Sequence, residues 1–383
     1  MRAVPLLVVA GEASGDQHAA RLIAELRRER PDVAPFGLGG DELAAVGVER
    51  LAESREVAVV GITEVLRVLP RARQVFRALL AETDRRRPAA ALLVDFPEFN
   101  LRLARQLERR GVPVAYYVSP QVWAWRRGRV RTIARVVHRM LVLFPFEAAF
   151  YRGHGVHVEH VGHPLVDEVP ELPQAWDRPL APGEPFRVVL LPGSRHSEVA
   201  ALLPSMLAAA AAMARHVAVE LTLVRAQTVD AAQLAPLLAA SPLTVRVVGS
   251  EERFAAIAGS HLALCASGTA TLEVGLLRTP LLVLYRLHRW SYWLGRMLVR
   301  LPWFSLVNLV LDEKAVPELL QADAHPERIA AEGLRLLRDE GVRETMRGRL
   351  TALRGRLGEG GASRRAARAV AELLPPAAME ATA

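Results

Sequence analysis

Short apolar runs alternate with longer amphipathic segments along almost the whole chain, and this alternation constrains the fold more than any other feature. The pattern is typical of βαβ units, in which crossover helices join parallel strands. In the first half we predict strands at residues 6–10, 34–38, 91–94, 114–118, 140–143 and 156–160. Helical patterns lie between these strands, for example at residues 16–29, 100–110 and 127–137.

A second series of the same kind follows a proline-rich stretch at residues 170–185, which has the composition of a linker. Its predicted strands are residues 187–191, 218–223, 244–248, 262–265 and 281–285, and residues 326–374 are predicted to be helical with a break at 358–361. The sequence therefore predicts an α/β protein with two Rossmann-like lobes that face each other across a cleft. The predicted ranges are 1–168 for the first lobe, 169–185 for the linker, 186–360 for the second lobe, and 361–383 for a C-terminal helix and tail.

The net charge and the single cysteine limit the kinds of binding partner and the cellular compartment that we expect for this protein. The formal net charge of +8 favours anionic partners, such as a sugar nucleotide, a phosphorylated lipid, a membrane surface or a nucleic acid. The single cysteine, Cys265, excludes an internal disulfide and a cysteine zinc site, fits a reducing cytoplasm and is expected to be buried. The apolar start of the chain leads into a glycine turn, and we interpret it as a first strand rather than a signal peptide.

Two turns in the first half are candidate ligand sites, because open parallel sheets bind ligands at the carboxyl ends of their strands. In GEASGD (11–16), Ser14 and Gly15 stand where a helix begins and can approach an anion, or the segment is a simple turn capped by Ser14 or Asp16. In DFPEFN (95–100), Asp95 ends an apolar strand, where a partly desolvated carboxylate can act as a general base. The alternative for Asp95 is the N-cap of the next helix, whose first turn suits Pro97.

Two similar turns occur in the second half. In LPGSR (191–195), backbone N–H groups and Arg195 can bind a diphosphate, or the segment is a capping turn with a surface arginine. In SGTATLE (267–273), Ser267, Gly268 and Thr269 suit a diphosphate, and Glu273 can accept hydrogen bonds from ribose hydroxyls. The alternative for Glu273 is a carboxylate that stabilises the start of a helix.

Two segments combine aromatic and basic residues. The segment VSPQVWAWR (118–126) either lines a groove for an acyl chain or sugar, or is a local core beside a solvated helix face; its candidate groove residues are Trp123, Trp125 and Arg126. Residues 286–304 have the spacing of a helix that lies in a membrane interface, or of an amphipathic helix that faces the core. The candidate membrane contacts there are Arg289, Trp290, Trp293, Arg296 and Arg300.

Taken together, these segments resemble the lipid-A-disaccharide synthase family of GT-B glycosyltransferases. The matching segments occur in the family's order over almost the whole chain: AGEASGD (10–16), GITEVL (61–66), DFPEFNL (95–101), YVSPQVWAWR (117–126), LFPFEAAFY (143–151), VGHPL (161–165), LPGSR (191–195), SGTATLE (267–273) and PELLQ (317–321). The segment SLVNL (305–309) departs from the family, which often has proline at the position of Val307. That departure leaves the conformation of this loop less defined.

The resemblance implies a GT-B fold whose first lobe binds the acceptor, whose second lobe binds the UDP-sugar, and whose C-terminal helix crosses back to the first lobe. It implies inverting transfer of 2,3-diacylglucosamine from UDP-2,3-diacylglucosamine to the 6-hydroxyl of 2,3-diacylglucosamine 1-phosphate (lipid X). The products are the β-1,6-linked lipid A disaccharide 1-phosphate and UDP, in lipopolysaccharide biosynthesis. Asp95 is then the base, and Ser14 and Gly15 face the cleft. The implied UDP contacts are Arg195, Ser267, Gly268, Thr269, Glu273 and Asn308.

The resemblance implies no cofactor and no metal. Because both substrates are acylated, it favours a cytoplasmic protein peripherally bound to the inner membrane of a Gram-negative bacterium, with residues 286–304 at the phospholipid surface; a homodimer stays open. One alternative is another GT-B enzyme acting on UDP-GlcNAc, such as a 2-epimerase or the muramyl-lipid glycosyltransferase. A second is a non-catalytic nucleotide- or RNA-binding protein. YVSPQVWAW and DFPEFN do not suit the other GT-B enzymes. Scarce lysine and the lack of a known RNA-binding module argue against the second alternative.

Overall fold

The computed structural model describes residues 3–57, 65–123, 127–286 and 302–376. The chain forms two compact units, the first from Met1–Pro164 together with Gly358–Ala383 and the second from Leu165–Leu357. The first unit ends and resumes close to the predicted positions, but the second unit begins at Leu165, before the predicted linker and not after it. The stretch predicted as a linker belongs to the second unit, where Trp176 Nε1 donates to His261 O at 2.9 Å and the Arg343 guanidinium lies 3.7 Å from the centre of the Trp176 ring.

The first unit is built on a seven-stranded parallel sheet. Its strands are β1 (Val4–Ala10), β2 (Val33–Gly39), β3 (Glu49–Glu53), β4 (Ala90–Val94), β5 (Val114–Tyr117), β6 (Arg139–Val142) and β7 (Val158–His160). They lie in the order β3-β2-β1-β4-β5-β6-β7. Helices cover both faces, so the central strands consist almost wholly of buried apolar residues. These helices are α1 (Ala13–Glu29), α2 (Asp41–Ala45), α3 (Val65–Arg86), α4 (Pro97–Glu108), α5 (Val130–Val136) and α6 (Pro145–Arg152).

The second unit contains a six-stranded parallel sheet. Its strands are β8 (Phe186–Leu191), β9 (Val219–Val224), β10 (Val245–Val248), β11 (Leu262–Ala266), β12 (Leu281–Tyr285) and β13 (Glu318–Leu320). They lie in the order β10-β9-β8-β11-β12-β13. Its helices are α7 (Leu165–Glu168), α8 (His196–Ala214), α9 (Ala231–Ala239), α10 (Arg253–Ala258), α11 (Ala270–Leu276), α12 (Leu306–Leu311), α13 (Pro326–Arg338) and α14 (Glu340–Leu357).

The last helix, α15 (Ala362–Ala371), returns to the first unit. Its small apolar residues Ala366, Ala367 and Val370 are buried in the core that contains β1 and α1, and Arg365 Nε donates to Val161 O at 2.9 Å. The prediction that a C-terminal helix crosses back to the first lobe is therefore confirmed.

Both sheets have a point where the strand order reverses, between β1 and β4 in the first unit and between β8 and β11 in the second. Loops that leave the carboxyl ends of such neighbouring strands diverge and form the crevice in which open α/β sheets bind ligands. The four turns singled out in the sequence follow β1, β4, β8 and β11. Each pair of turns thus flanks the switch point of its own unit.

The sequence missed two strands, β3 and β13. Both are short, and both carry charged or partly exposed residues at the edge of a sheet, so neither has the continuous apolar run expected of a buried parallel strand. Among the described helices, α8 alone is long and apolar enough to cross a membrane. Its residues Leu203, Met206 and Met213 are fully buried in the second unit, which identifies α8 as a core helix.

Candidate active site

The turn after β1 leaves its helix start open. Helix α1 begins at Ala13 with Glu12 as N-cap, and no side chain caps it. Asp16 is buried and accepts hydrogen bonds from the backbone N–H groups of Gly40, at 2.6 Å, and Glu42, at 3.0 Å, so it holds the turn before α2. The alternative in which Ser14 or Asp16 caps α1 is therefore wrong. Ser14 is exposed at this turn.

Gly11 permits the close approach of an aromatic ring to the same turn. A Cβ at this position would lie 2.3 Å from Phe96 Cδ1, well inside van der Waals contact. The Phe96 ring in turn stacks on Phe99, with 5.3 Å between the ring centres. The turns after β1 and β4 thus pack directly on each other, and a side chain at position 11 would displace the residue that follows Asp95.

The backbone at Asp95 is held in a left-handed conformation. Asp95 has φ 47° and Phe96 has φ 49°, values that cost non-glycine residues on the order of 1–3 kcal/mol each. Three hydrogen bonds fix the Asp95 peptide groups: its N–H donates to Tyr117 O at 3.0 Å, and its carbonyl accepts from Tyr116 Oη at 2.5 Å and Asn100 Nδ2 at 2.8 Å. The N-cap of α4 is Phe96, so the alternative role of Asp95 as the cap is wrong.

The Asp95 carboxyl group has the electrostatics of a general base. Burial raises its pKa to about 6, and the nearby Glu12 carboxylate adds to the shift. A carboxylate with a pKa close to the working pH accepts a proton more readily than an ordinary aspartate while remaining mostly ionised at pH 7. At this edge of the sheet the strain of the backbone and the raised pKa occur in the same residue.

The segment after β5 is buried rather than open. Trp123 is 8 % exposed, and its Nε1 donates to Glu147 Oε1 at 3.1 Å. The prediction that the Trp123 ring lines an acyl groove is therefore wrong, because the ring is part of a local core. Trp125 and Arg126 lie outside the described residues.

A cationic groove lies between α4 and α5, close to the start of α4. Pro97 and Glu98 line it together with the guanidinium groups of Arg102, Arg105 and Arg129. Glu98 pairs with Arg129 at 2.6 Å, which leaves a net positive lining. Sequence reasoning missed this groove, because Arg102 and Arg105 lie on α4 whereas Arg129 immediately precedes α5.

In the second unit, the turn after β8 is closed by its own carboxylate. The N–H groups of Ser194 and Arg195 donate to Glu198 Oε2 at 3.2 and 3.4 Å, so they do not stand open as the sequence predicted. The capping alternative describes this turn, because a glutamate three residues into a helix reaches back to its start. The Arg195 side chain remains 79 % exposed and pairs with Glu198 at 3.0 Å.

The turn after β11 is open. Gly268 and Thr269 are exposed, and among the described residues their N–H groups make none of the backbone hydrogen bonds that close the neighbouring turns. A Cβ on Gly268 would meet no described atom within 4 Å. Ser267 anchors the turn, since its Oγ donates to Phe304 O at 3.0 Å. This turn leaves room for an anionic group at the second switch point.

Glu273 is placed one turn into α11 and is mostly buried. Arg253 Nε donates to its Oε1 at 3.2 Å, and burial raises the pKa of Glu273 despite this cation. Sequence reasoning missed Arg253, which is twenty residues away and acquires its role only through the packing of α10 on α11. Among the described residues, the one hydrogen bond given for this carboxylate is on Oε1.

Asn308 is fully buried and its amide is used inside the unit. Its Nδ2 donates to Val316 O and to Glu318 Oε1, at 2.9 and 2.8 Å, and its Oδ1 accepts from Val316 N at 2.9 Å. Glu318 also accepts from the N–H groups of Phe304 and Ser305. The prediction that Asn308 contacts UDP directly is therefore wrong in this conformation. Its amide instead supports the loop at Phe304, to which Ser267 is hydrogen-bonded.

Five further candidates, predicted as membrane contacts, lie outside the described residues: Arg289, Trp290, Trp293, Arg296 and Arg300. Within the described ranges no group of three or more His, Cys, Asp or Glu side chains is arranged to hold a metal ion. Cys265 is fully buried, as predicted, and burial raises the pKa of its thiol.

Comparison with known proteins settles the family. A family model described as lipid-A-disaccharide synthetase matches residues 6–371. The chain belongs to the lipid-A-disaccharide synthetase family. A lipid-A-disaccharide synthase from Myxococcus xanthus strain DK1622 is 48 % identical over 376 residues, covering 97 % of this chain and 98 % of that protein. As a member of this family the chain is a glycosyltransferase, and the resemblance inferred from its motifs is confirmed.

Solved structures independently show the fold of this lipid-A-disaccharide synthetase family member. The glycotransferase of kitacinnamycin superposes with a TM-score of 0.62 at 18 % identity, covering 98 % of this chain and 100 % of that one. UDP-GlcNAc 2-epimerase from Neisseria meningitidis gives a TM-score of 0.57 at 10 % identity, covering 97 % and 100 % of the two chains. Both confirm the predicted GT-B fold, and at such low identity they carry no information about the substrate.

Proposed function

We propose that the chain is a lipid-A-disaccharide synthase that transfers 2,3-diacylglucosamine from UDP-2,3-diacylglucosamine to the 6-hydroxyl of lipid X. The family match over residues 6–371 is the observation that carries the proposal. The first unit supplies the matching chemistry, a carboxyl group at a switch point with a pKa of about 6. The cationic groove beside α4 supports an acceptor that carries a phosphate.

In the proposed reaction Asp95 takes the proton of the acceptor 6-hydroxyl as that oxygen attacks the anomeric carbon of the donor. The bond between the anomeric carbon and UDP breaks in the same step, which inverts the configuration. UDP leaves with additional negative charge, and groups aimed at that charge lower the barrier. The open turn at Gly268 and Thr269, the exposed Arg195 guanidinium and Glu273 are the residues we assign to UDP.

A transfer assay tests the reaction. Purified protein is incubated with UDP-2,3-diacylglucosamine and radiolabelled lipid X, without added metal, and the products are separated. We expect a labelled disaccharide phosphate and one UDP for each disaccharide. Conversion of UDP-GlcNAc without formation of a disaccharide would replace this proposal with a 2-epimerase or another GT-B activity on that nucleotide.

Acylated substrates also support a peripheral membrane protein on the cytosolic face of the inner membrane, with residues 286–304 as the contact. Flotation with vesicles containing anionic phospholipid tests this. A variant with Arg289, Arg296 and Arg300 replaced by glutamine should float less than the parent protein, because basic side chains near an anionic surface contribute about 1 kcal/mol each. Equal flotation would contradict it, and light scattering of the same sample measures the oligomeric state, which the sequence leaves open.

A further inference from the structure

We propose that Glu147 is a positioning residue, which holds residues 119–123 beside the candidate base and thereby sets the affinity for the acceptor. The effect of Glu147 on acceptor affinity rests on the proposed function. Its effect on the position of residues 119–123 rests on the geometry of the first unit alone.

One buried carboxylate binds three donors. Glu147 lies in the first turn of α6 and is 4 % exposed. Its Oε1 accepts from Ser119 Oγ at 2.7 Å and from Trp123 Nε1 at 3.1 Å, and its Oε2 accepts from Phe144 N at 3.2 Å. The carboxylate thus connects both ends of residues 119–123 to the start of α6.

Residues 119–123 need such support because the segment starts from a strained residue. Val118 has φ 61°, an uncommon value for a β-branched side chain. A second contact from α6 reinforces the segment, since Tyr151 Oη donates to Pro120 O at 3.3 Å. The segment is held by bonds from a neighbouring helix rather than by its own backbone preference.

The segment lies next to the candidate base. It follows β5, which pairs with β4, and the N–H of Asp95 donates to Tyr117 O at 3.0 Å. Any shift of residues 119–123 therefore occurs beside the edge of the sheet that carries Asp95. The acceptor hydroxyl must be placed at that edge for Asp95 to take its proton.

Burying the charge of Glu147 lowers the stability of the fold. This argues that Glu147 serves to position residues 119–123 and not to stabilise the unit. Burial raises the pKa of Glu147 to about 7, although its three donors oppose the shift. A buried ion stabilises a fold weakly compared with apolar groups of the same volume. The Trp123 ring packs edge-on against Phe146 at 4.8 Å, so apolar packing is already available at this place.

Steady-state kinetics with both substrates distinguish a positioning role of Glu147 from a general loss of stability. Glu147→Ala should raise the KM for lipid X about 10-fold or more and leave the KM for the UDP-sugar within about twofold, because the change is confined to the first unit. Glu147→Gln should show a smaller rise, because its amide oxygen still accepts from Ser119 and Trp123 while its NH2 faces the Phe144 N–H. The matched control is Val33→Ala, which removes buried volume at the start of β2, and should change neither KM.

Hydrogen exchange supplies a readout that needs no activity. In Glu147→Ala, a peptide over residues 118–123 should exchange about 10-fold faster than in the parent, and one over β2 should not change. Unchanged exchange of residues 118–123, or an unchanged KM for lipid X in a folded variant, would overturn the proposal. If the parent makes no disaccharide, the proposed function fails and exchange alone decides the positioning role. If Glu147→Ala does not fold, Ser119→Ala replaces it, and no change in either readout would overturn the proposal.

Discussion

The switch points of the two units present opposite chemistry. In the first unit the turn after β4 carries a carboxyl group on a left-handed aspartate, and a second carboxylate, Glu12, raises its pKa. In the second unit the turn after β11 presents exposed backbone at Gly268 and Thr269. The cations of this unit named above are Arg195, in the turn after β8, and Arg253, at the start of α10. Left-handed backbone at the second switch point occurs only at a glycine, Gly193.

This difference shows how the same strand topology can position a reacting group in one unit and bind a diphosphate in the other. A reacting group must be held at one angle, and strained backbone fixed by hydrogen bonds achieves this at Asp95. A diphosphate is large and anionic, and an unstrained turn with open backbone and neighbouring arginines can bind it. We therefore expect changes at the first switch point to affect turnover and changes at the second to affect UDP binding.

The largest effect should follow Asp95→Asn. Loss of the base should lower kcat about 10²–10⁴-fold, while UDP affinity in the second unit stays within about twofold. Near-normal turnover by a folded variant would contradict the assignment of the base.

The same variant should be more stable at neutral pH. Because the folded-state pKa of Asp95 is raised to about 6 from 3.8, the ionised carboxyl destabilises the protein above pH 6, and this cost disappears below pH 3.8. Asparagine should therefore raise the free energy of unfolding at pH 8 by about 3 kcal/mol, with about half of that gain at pH 5. Denaturant unfolding at both pH values measures the gain.

Gly11→Ala should have the next largest effect. The added methyl group must displace the Phe96 ring, which adjoins Asp95, so kcat should fall about 10–100-fold with a loss of about 1–3 kcal/mol in stability. Gly348→Ala is the matched control, because its added Cβ would meet no described atom within 4 Å on the exposed side of α14. Equal kcat values for the two variants would show that the turns after β1 and β4 are not coupled.

The pH dependence distinguishes the units without mutation. As pH falls below about 6, protonation of Asp95 should lower kcat/KM about 10-fold for each pH unit, and the profile should level off above pH 7. Equilibrium binding of UDP-2,3-diacylglucosamine, whose esterified diphosphate keeps its charge between pH 5 and 7, should change much less over this range. Glu273, whose pKa is also raised, is the carboxyl group of the second unit that this control examines. A parallel loss of UDP-2,3-diacylglucosamine binding would assign the titration to the nucleotide site instead.

Gly268→Ala should have the smallest effect of these changes, and the effect should be confined to the binding of UDP. The position has open space around it, so stability should change by less than about 0.5 kcal/mol, while UDP affinity should fall about 5–10-fold if the diphosphate approaches this backbone. Calorimetry of UDP binding, with unfolding measured on the same sample, provides both values. Unchanged affinity would move the diphosphate away from the turn after β11.

The sequence predicted every described strand except β3 and β13, together with the four turns, because these depend on apolar periodicity or on small residues at strand ends. The return of the last helix was implied by the family resemblance. It did not predict the left-handed backbone at Asp95 and Val118, since neither residue type marks such a conformation in the way that glycine does. Glu147 was also missed as a candidate. Its partner Ser119 is 28 residues away and adjoins it only once β5 and β6 pair.

The turn after β8 was misjudged for a different reason. The sequence contains Glu198 three residues after Arg195, which is the spacing of a reciprocal cap, so the signal was present. A phosphate contact was favoured because a turn between a strand and a helix recurs here at the place in the second lobe equivalent to the turn after β1. Glu198 accepts hydrogen bonds from the N–H groups of the turn after β8. Within the part of the chain that the structure describes, no carboxylate closes the turn after β11 in this way.

The position of α15 has a consequence for the order in which the protein is made. The first sheet is complete when Pro164 has been synthesised, yet the helix that covers part of its core begins at Ala362, roughly 200 residues later. At about 5–20 residues per second, this interval lasts roughly 10–40 s. During that time the surfaces of β1 and α1 that later contact Ala366, Ala367 and Val370 stay open to water. The nascent first unit is therefore the stage at which this protein is most exposed to aggregation, and the last helix ends that exposure.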